Sequence, residues 1–157
     1  MKSLNKQAYR DWLGQFDWDV AVNLNMRANI SKSHAQNAAK YFWHKLDCDI
    51  FGCTQVKIHR TRLVRACFIE GEAGVRNFHY HAAVQLPAPP SGTTQSHDDR
   101  VARFGEMLKL RWEQLREAGS YSVCHGVHHG TGWIDYICKD VDRGDNAFCT
   151  LTSHLPL

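Results

Sequence analysis

Apolar residues in this chain recur at two spacings, and the switches between them mark out the elements. Leu4, Ala8 and Trp12 fall at helical spacing ahead of Gly14, which predicts a short leading helix over 4–13. Between Phe16 and Asn25 the period changes: Trp18, Val20, Val22 and Leu24 alternate with polar or small residues, as in a strand buried on one face. Ser33-His34-Ala35-Gln36 has the form of a capping box. Ala35, Ala38, Ala39, Phe42, Leu46 and Ile50 continue from it as the buried stripe of a helix ending near Gly52. Two extended runs, 63–72 and 78–86, flank Ala73-Gly74-Val75-Arg76-Asn77, a hairpin loop by length and composition. Pro87-Ala88-Pro89-Pro90-Ser91-Gly92 cannot continue the second run and predicts a surface connection. Another helix starts at Ser96 with Asp98 and Asp99, turns Val101, Phe104, Leu108, Trp112 and Leu115 inward, and is closed by Gly119. Residues 121–125 read as a short strand, 132–141 as a helix and 147–152 as a last strand.

After the leading helix the order is strand, helix, hairpin, helix, strand, helix, strand. It predicts an α+β two-layer sandwich, a central mostly antiparallel sheet of about five strands with the helices packed on one face. The other face of such a sheet is left for a ligand. The length of 157 residues, with 43% hydrophobic and 22% charged residues, fits a single globular domain over 1–157. The chain has no run of 18 apolar residues and its opening lacks the apolar core of a signal peptide, so a soluble, intracellular protein with no membrane partner is expected.

The six cysteines, at 48, 53, 67, 124, 138 and 149, show no Cys-x-x-Cys spacing, and Cys67 and Cys138 fall inside apolar periodic segments. Free, mostly buried thiols are expected. The alternative, a zinc site joining Cys48 and Cys53 to Cys124, His125 and His128, matches no structural zinc spacing. A net charge of +3 does not by itself announce a nucleic-acid binder. Lys57, His59, Arg60, Arg62 and Arg65 nevertheless lie within nine residues, either as a cluster that tracks phosphates or as a solvated loop between a helix and a strand.

Chemistry concentrates in Asn77-Phe78-His79-Tyr80-His81-Ala82-Ala83-Val84-Gln85-Leu86. Alternation puts Phe78, Tyr80, Ala82, Val84 and Leu86 on one face and His79, His81 and Gln85 on the other. Histidines two apart on a strand lie roughly 7 Å apart at Cα on the same side, close enough to converge on one ion. The preceding run carries Glu70 and Glu72, and across a short hairpin one of them lies beside the histidines. Two histidines and a carboxylate suit Mg2+ or Mn2+ holding a phosphate. If Glu70 faces that ion, Val64, Ala66 and Phe68 share its face unless a bulge intervenes.

Phe78-His79-Tyr80-His81-Ala82-Ala83-Val84 resembles the His-hydrophobe-His motif of HUH endonucleases, especially rolling-circle replication initiators, with Tyr80 in the hydrophobic slot. Gly132-Trp133-Ile134-Asp135-Tyr136-Ile137-Cys138-Lys139 is similar to their Tyr-x-x-Lys motif, and Val20-Ala21-Val22-Asn23-Leu24-Asn25 more loosely to their first-strand motif. The three stand in the family's order across 16–140. The resemblance implies a ferredoxin-like, RRM-like fold and metal-dependent, sequence-specific nicking and rejoining of single-stranded DNA at a replication origin through a 5′-phosphotyrosine. It implies Mg2+ or Mn2+ held by His79 and His81 with an acidic residue eight or nine positions earlier, a spacing Glu70 fits better than Glu72. Tyr136 would be the nucleophile and Lys139 would assist near the phosphate. No second tyrosine adjoins Tyr136, so the single-tyrosine form is implied. Origin DNA, single-stranded or in a hairpin, would be the partner, with a host polymerase. A separate helicase is needed because no Gly-x-x-x-x-Gly-Lys loop is encoded. The setting would be cytoplasmic for a bacterial, phage or plasmid element and nuclear for a eukaryotic virus.

Other readings of these residues stay open. Tyr136 is alternatively an aromatic cap over the sheet edge, and Lys139 an ordinary helix ion pair with Asp135 four residues before it. Asn23 and Asn25 either contact DNA or end a strand, and His125, His128 and His129 read as a polar turn. A single-tyrosine transposase shares the motif pair, although Tyr-x-x-Lys favours replication. A passive binder of RNA or single-stranded DNA fits the fold class, but histidines stand where its stacking aromatics belong.

Overall fold

The computed structural model describes residues 2–72, 76–125, 131–139, 141 and 148–156. Its elements run α1 (Lys2–Leu13), β1 (Val20–Met26), α2 (Lys32–Phe51), α3 (Cys53–Ile58), β2 (Val64–Glu72), β3 (Arg76–Gln85), α4 (His97–Glu113), β4 (Ala118–His125) and α5 (Thr131–Ile137). The strands form one antiparallel sheet in the order β2-β3-β1-β4. An α+β fold is therefore present, and no helix among the described residues is long and apolar enough to cross a membrane.

Helix ends follow local hydrogen-bonding chemistry. Ser96 caps α4 in a reciprocal capping box with Asp99, as its sequence predicts. The cap of α2 is Ser31 rather than Ser33: the Ser31 hydroxyl accepts from the His34 backbone N–H, which starts the helix earlier than expected. Helix α4 stops at Glu113, and Gly119 belongs to β4. A Cβ on Gly119 would lie 2.7 Å from the Asn25 carbonyl oxygen, so glycine there serves a close strand approach, not a helix stop. Helix α1 buries Leu13, leaving Ala8 and Trp12 exposed, so the predicted Ala8–Trp12 stripe is not its inward face.

Two cores sandwich the sheet, and this departs from the expectation of helices on one face. On one side α2 and α4 pack Phe42, Trp43, Leu46, Leu108 and Trp112 against Val20, Val22, Leu24, Tyr80, Ala82 and Val84. On the other, Leu13 of α1 and Ile134 and Ile137 of α5, with the adjoining Cys138, cover Ala66, Phe68 and Ala83. Helical patterning gives the width of an apolar face but not the layer it joins. Burial makes Cys67 and Cys138 inert, pushing their thiols up to about 12 and about 11. Cys48 and Cys149 are also buried and Cys53 is exposed, all without disulfides, as expected.

Among the described residues the sheet has four strands, not the expected five. Residues 148–154 meet the edge of β2 at two isolated bridges, Phe68 with Phe148 and Arg65 with His154. Between them a turn closed by Ser153 N–H to the Cys149 carbonyl takes the backbone off the ladder. That edge is anchored by a buried ion pair: Arg65 Nη1 donates to both oxygens of Asp47 at 2.9 and 3.1 Å, and Arg65 Nε donates to the Thr152 carbonyl at 2.7 Å. The Leu63 N–H adds a bond to Asp47. Asp47→Ala leaves a buried guanidinium unpaired, and urea unfolding is expected to show a loss of about 3–5 kcal/mol.

Candidate metal centre

The hairpin register builds the centre. Glu70 of β2 pairs with His79 of β3, Phe68 pairs with His81, and across β3 the partners of His81 and His79 are Asn23 and Asn25 of β1. Paired residues share a face. One side of the sheet therefore grades from an apolar end, with Ala21, Ala66 and Ala83, to a polar end with Glu70, His79 and His81. Val64, Ala66 and Phe68 do share the face of Glu70; beneath α1 and α5 Ala66 and Phe68 are buried and Val64 is half-buried, so no bulge is required before Glu70. A bulge does follow it. The register shifts between Glu70 and Glu72 at Gly71, whose φ of 119° and 2.7 Å Cβ approach to the Asn77 carbonyl exclude a side chain. Beyond it Glu72 pairs with Arg76 rather than with a histidine, and its side chain lies outside the described residues.

Ligand atoms of Glu70, His79 and His81 all lie within 4.8 Å of one another. Glu70 is 6% exposed and His81 3%. His79 Nε2 lies 3.1 Å from Glu70 Oε2, and His81 Nε2 lies 3.5 Å from Glu70 Oε1. The far side of each ring is committed: His81 Nδ1 bonds Asn23 Oδ1, and His79 Nδ1 lies 3.3 Å from the Asn77 carbonyl oxygen. An oxygen acceptor at Nδ1 fixes that nitrogen as the donor and turns the Nε2 lone pair of the neutral ring towards the carboxylate. Two lone pairs facing a buried carboxylate repel it unless positive charge lies between, supplied by two extra protons or by one divalent cation. His81 Nε2 and Glu70 Oε1 are buried without a hydrogen-bond partner. The donor set thus fits a metal ion. Burial opposes ionisation of Glu70, but His79 and His81 acting as N–H donors, the extra-proton alternative, together with the Lys139 charge outweigh it, holding the carboxyl well below the usual range.

Tyr136 and Lys139 reach this polar end from α5 and the turn after it. The Tyr136 ring stands edge-on to His81 at 5.1 Å, stacks on Trp133 at 5.2 Å and 20°, and is 43% exposed. Lys139 Nζ lies 3.9 Å from the centre of that ring and 3.4 Å from Glu70 Oε2. Burial works against its charge, but the neighbouring Tyr136 and Glu70 raise its pKa on balance, so it remains an ammonium. Its expected helix partner is taken: Asp135 lies 2.6 Å from Arg10 Nε of α1.

The remaining candidates disperse. Asn25 donates to Ser120 at 2.8 Å. Arg62 donates to the Val56 and Thr61 carbonyls and lies 3.5 Å from Asp47, so it is drawn inward with Arg65 rather than left in an open cationic cluster. Lys57 and Arg60 are exposed, but that segment leads into the Val64 end of β2, about 20 Å along the strand from Glu70. His128 and His129, and the side chains of Cys124 and His125, lie outside the described residues. Trp133 was absent from the sequence candidates, although it stands three residues before Tyr136, on the neighbouring face of one helical turn.

Asn23 Oδ1 holds the far side of the His81 ring. Asn23→Ala should weaken Mn2+ binding by about 10–100-fold, the usual effect of losing a ligand's outer hydrogen bond, as read by titration calorimetry. A loss of DNA affinity with unchanged Mn2+ affinity would instead restore the DNA-contact reading of Asn23. Comparison with models of known protein families, with curated proteins and with solved structures finds no match, so the function must be argued from this centre's own geometry.

Proposed function

We propose that this chain is a single-tyrosine HUH endonuclease that nicks single-stranded DNA at a replication origin and retains one end as a 5′-phosphotyrosine. The observation that carries the reading is the meeting of a buried Glu70–His79–His81 triad with a half-exposed tyrosine and a lysine from a different element. Sequence separation alone would not bring Tyr136 against His81. The strand order β2-β3-β1-β4, with the two strands bearing His79, His81 and Asn23 in the middle, supports the ferredoxin-like form of the fold.

Glu70, His79 and His81 would hold Mg2+ or Mn2+, which supplies charge neutralisation at the scissile phosphate. The Tyr136 phenol forms the new O–P bond as the bond from phosphorus to the 3′ oxygen breaks. The phenolic proton is lost and the departing 3′ oxygen gains one, leaving a free 3′-hydroxyl. Lys139, beside the ring and charged, would offset negative charge that develops at the reacting oxygens. Trp133 limits the ring's motion by stacking. Because the phosphodiester is exchanged rather than hydrolysed, the step reverses for rejoining. In this reading unwinding and synthesis fall to a separate helicase and a host polymerase.

Passive binding on an open sheet is less well supported, since α1 and α5 roof the apolar half of the histidine face. A transposase would use the same chemistry on element ends instead of an origin. The test is incubation with a labelled single-stranded oligonucleotide library and Mn2+, followed by denaturing electrophoresis. A protein–DNA band abolished by chelator is expected; cleavage without any retained band would contradict the covalent mechanism.

A further inference from the structure

The sequence gives Lys139 a natural partner, Asp135, four residues earlier in the favourable acid-before-base order. That pairing is not formed. Helix α5 ends at Ile137, and the Lys139 N–H bonds the Tyr136 carbonyl three residues back, tightening the turn. Asp135 is instead in an ion pair with Arg10, 2.6 Å from its Nε, an atom shielded from solvent that has no hydrogen-bond partner, although both side chains are partly exposed. Lys139 then lies between Glu70 and the Tyr136 ring. Exposed ion pairs contribute little stability, so the value of this one lies elsewhere.

We propose that Arg10 is a positioning residue: by occupying Asp135 it denies Lys139 its own helix partner and keeps that ammonium at the triad and over Tyr136. The leading helix thereby becomes part of the site without touching substrate. This deepens the endonuclease reading, because it assigns the control of Lys139, but its test requires neither cleavage nor a bound metal. With Arg10 removed, the freed Asp135 carboxylate competes for Lys139. Removing that carboxylate as well ends the competition. A merely structural tether between α1 and α5 would behave differently, since Arg10→Ala and Arg10→Ala/Asp135→Asn break it equally.

The readout is NMR of metal-free protein labelled at lysine Cε, with Lys139 assigned through Lys139→Arg. An ammonium stem above an aromatic ring carries an upfield shift that other lysines lack. We expect that shift in the unsubstituted protein, its loss in Arg10→Ala, and its return in the double variant. Persistence in Arg10→Ala, or loss in both variants, would overturn the proposal. Mn2+ titration gives the second measurement. Lys139 competes with a cation for Glu70, so Arg10→Ala should bind Mn2+ several-fold more tightly and the double variant should return to the starting affinity. If the unsubstituted protein binds no Mn2+, the metal reading fails while the NMR result still decides the role of Arg10.

Discussion

Replacing His79 and His81 together with alanine is expected to abolish Mn2+ binding and, with it, DNA cleavage, while the fold persists. Both rings present Nε2 to the Glu70 carboxylate and both are fixed from behind, so their removal takes away two of three donors at once. Glu70→Ala should have a comparable effect. Glu72→Ala should not, because the bulge at Gly71 places Glu72 opposite Arg76. Affinity should also rise with pH. Histidine ligates a metal only as the neutral imidazole, so protons compete with the cation for the site, whereas Glu70, held far below the ordinary carboxylate range, is already ionised and releases none. Calorimetry in two buffers of different ionisation enthalpy measures the proton release on binding. Tight binding by the double variant, or equal losses for Glu70→Ala and Glu72→Ala, would remove the triad as the metal centre.

The second large effect is expected at the proposed nucleophile. Tyr136→Phe keeps the ring that stacks on Trp133 and meets His81, and removes only the hydroxyl. Cleavage should fall on the order of 10⁴–10⁶-fold, the range seen when an enzyme loses its attacking group. Oligonucleotide affinity should stay near that of the unsubstituted chain, since phosphate contacts and stacking supply it. Lys139→Met should be milder, reducing rate more than affinity. In the proposed reaction its ammonium, 3.9 Å from the Tyr136 ring centre, would assist without being the attacking atom.

The pattern of the sequence reaches some of these residues and not others. His79 and His81 were legible because β3 alternates strictly, with Phe78, Tyr80, Ala82 and Val84 on the core side, so the histidines had no other face to occupy. Ser96 and Asp99 were legible because a capping box is local. The second core was hidden. Its sheet side consists of small residues, Ala66 and Ala83, beside Phe68, and small residues do not announce a buried face. The partner of Lys139 was equally out of reach, because Arg10 and Asp135 meet only once α1 and α5 share a layer. Arg65 read as a surface cation and became a buried anchor for Asp47, a choice made by tertiary contact rather than by charge spacing. The last segment had strand composition, but a turn at Cys149–Ser153 interrupts its pairing with β2.

The central claim is that Tyr136 becomes covalently joined to DNA beside the Glu70–His79–His81 centre. Protein trapped with a cleavable single-stranded oligonucleotide and Mn2+, boiled in detergent, digested and sequenced by mass spectrometry gives the direct answer. The predicted result is a nucleotide remnant attached through a 5′ phosphate to the Tyr136 phenol, within Ile134-Asp135-Tyr136-Ile137-Cys138-Lys139, and a free 3′-hydroxyl on the released strand. An adduct on Tyr9, Tyr41, Tyr80 or Tyr121, or cleavage into two free ends with no adduct under any trapping condition, would contradict it.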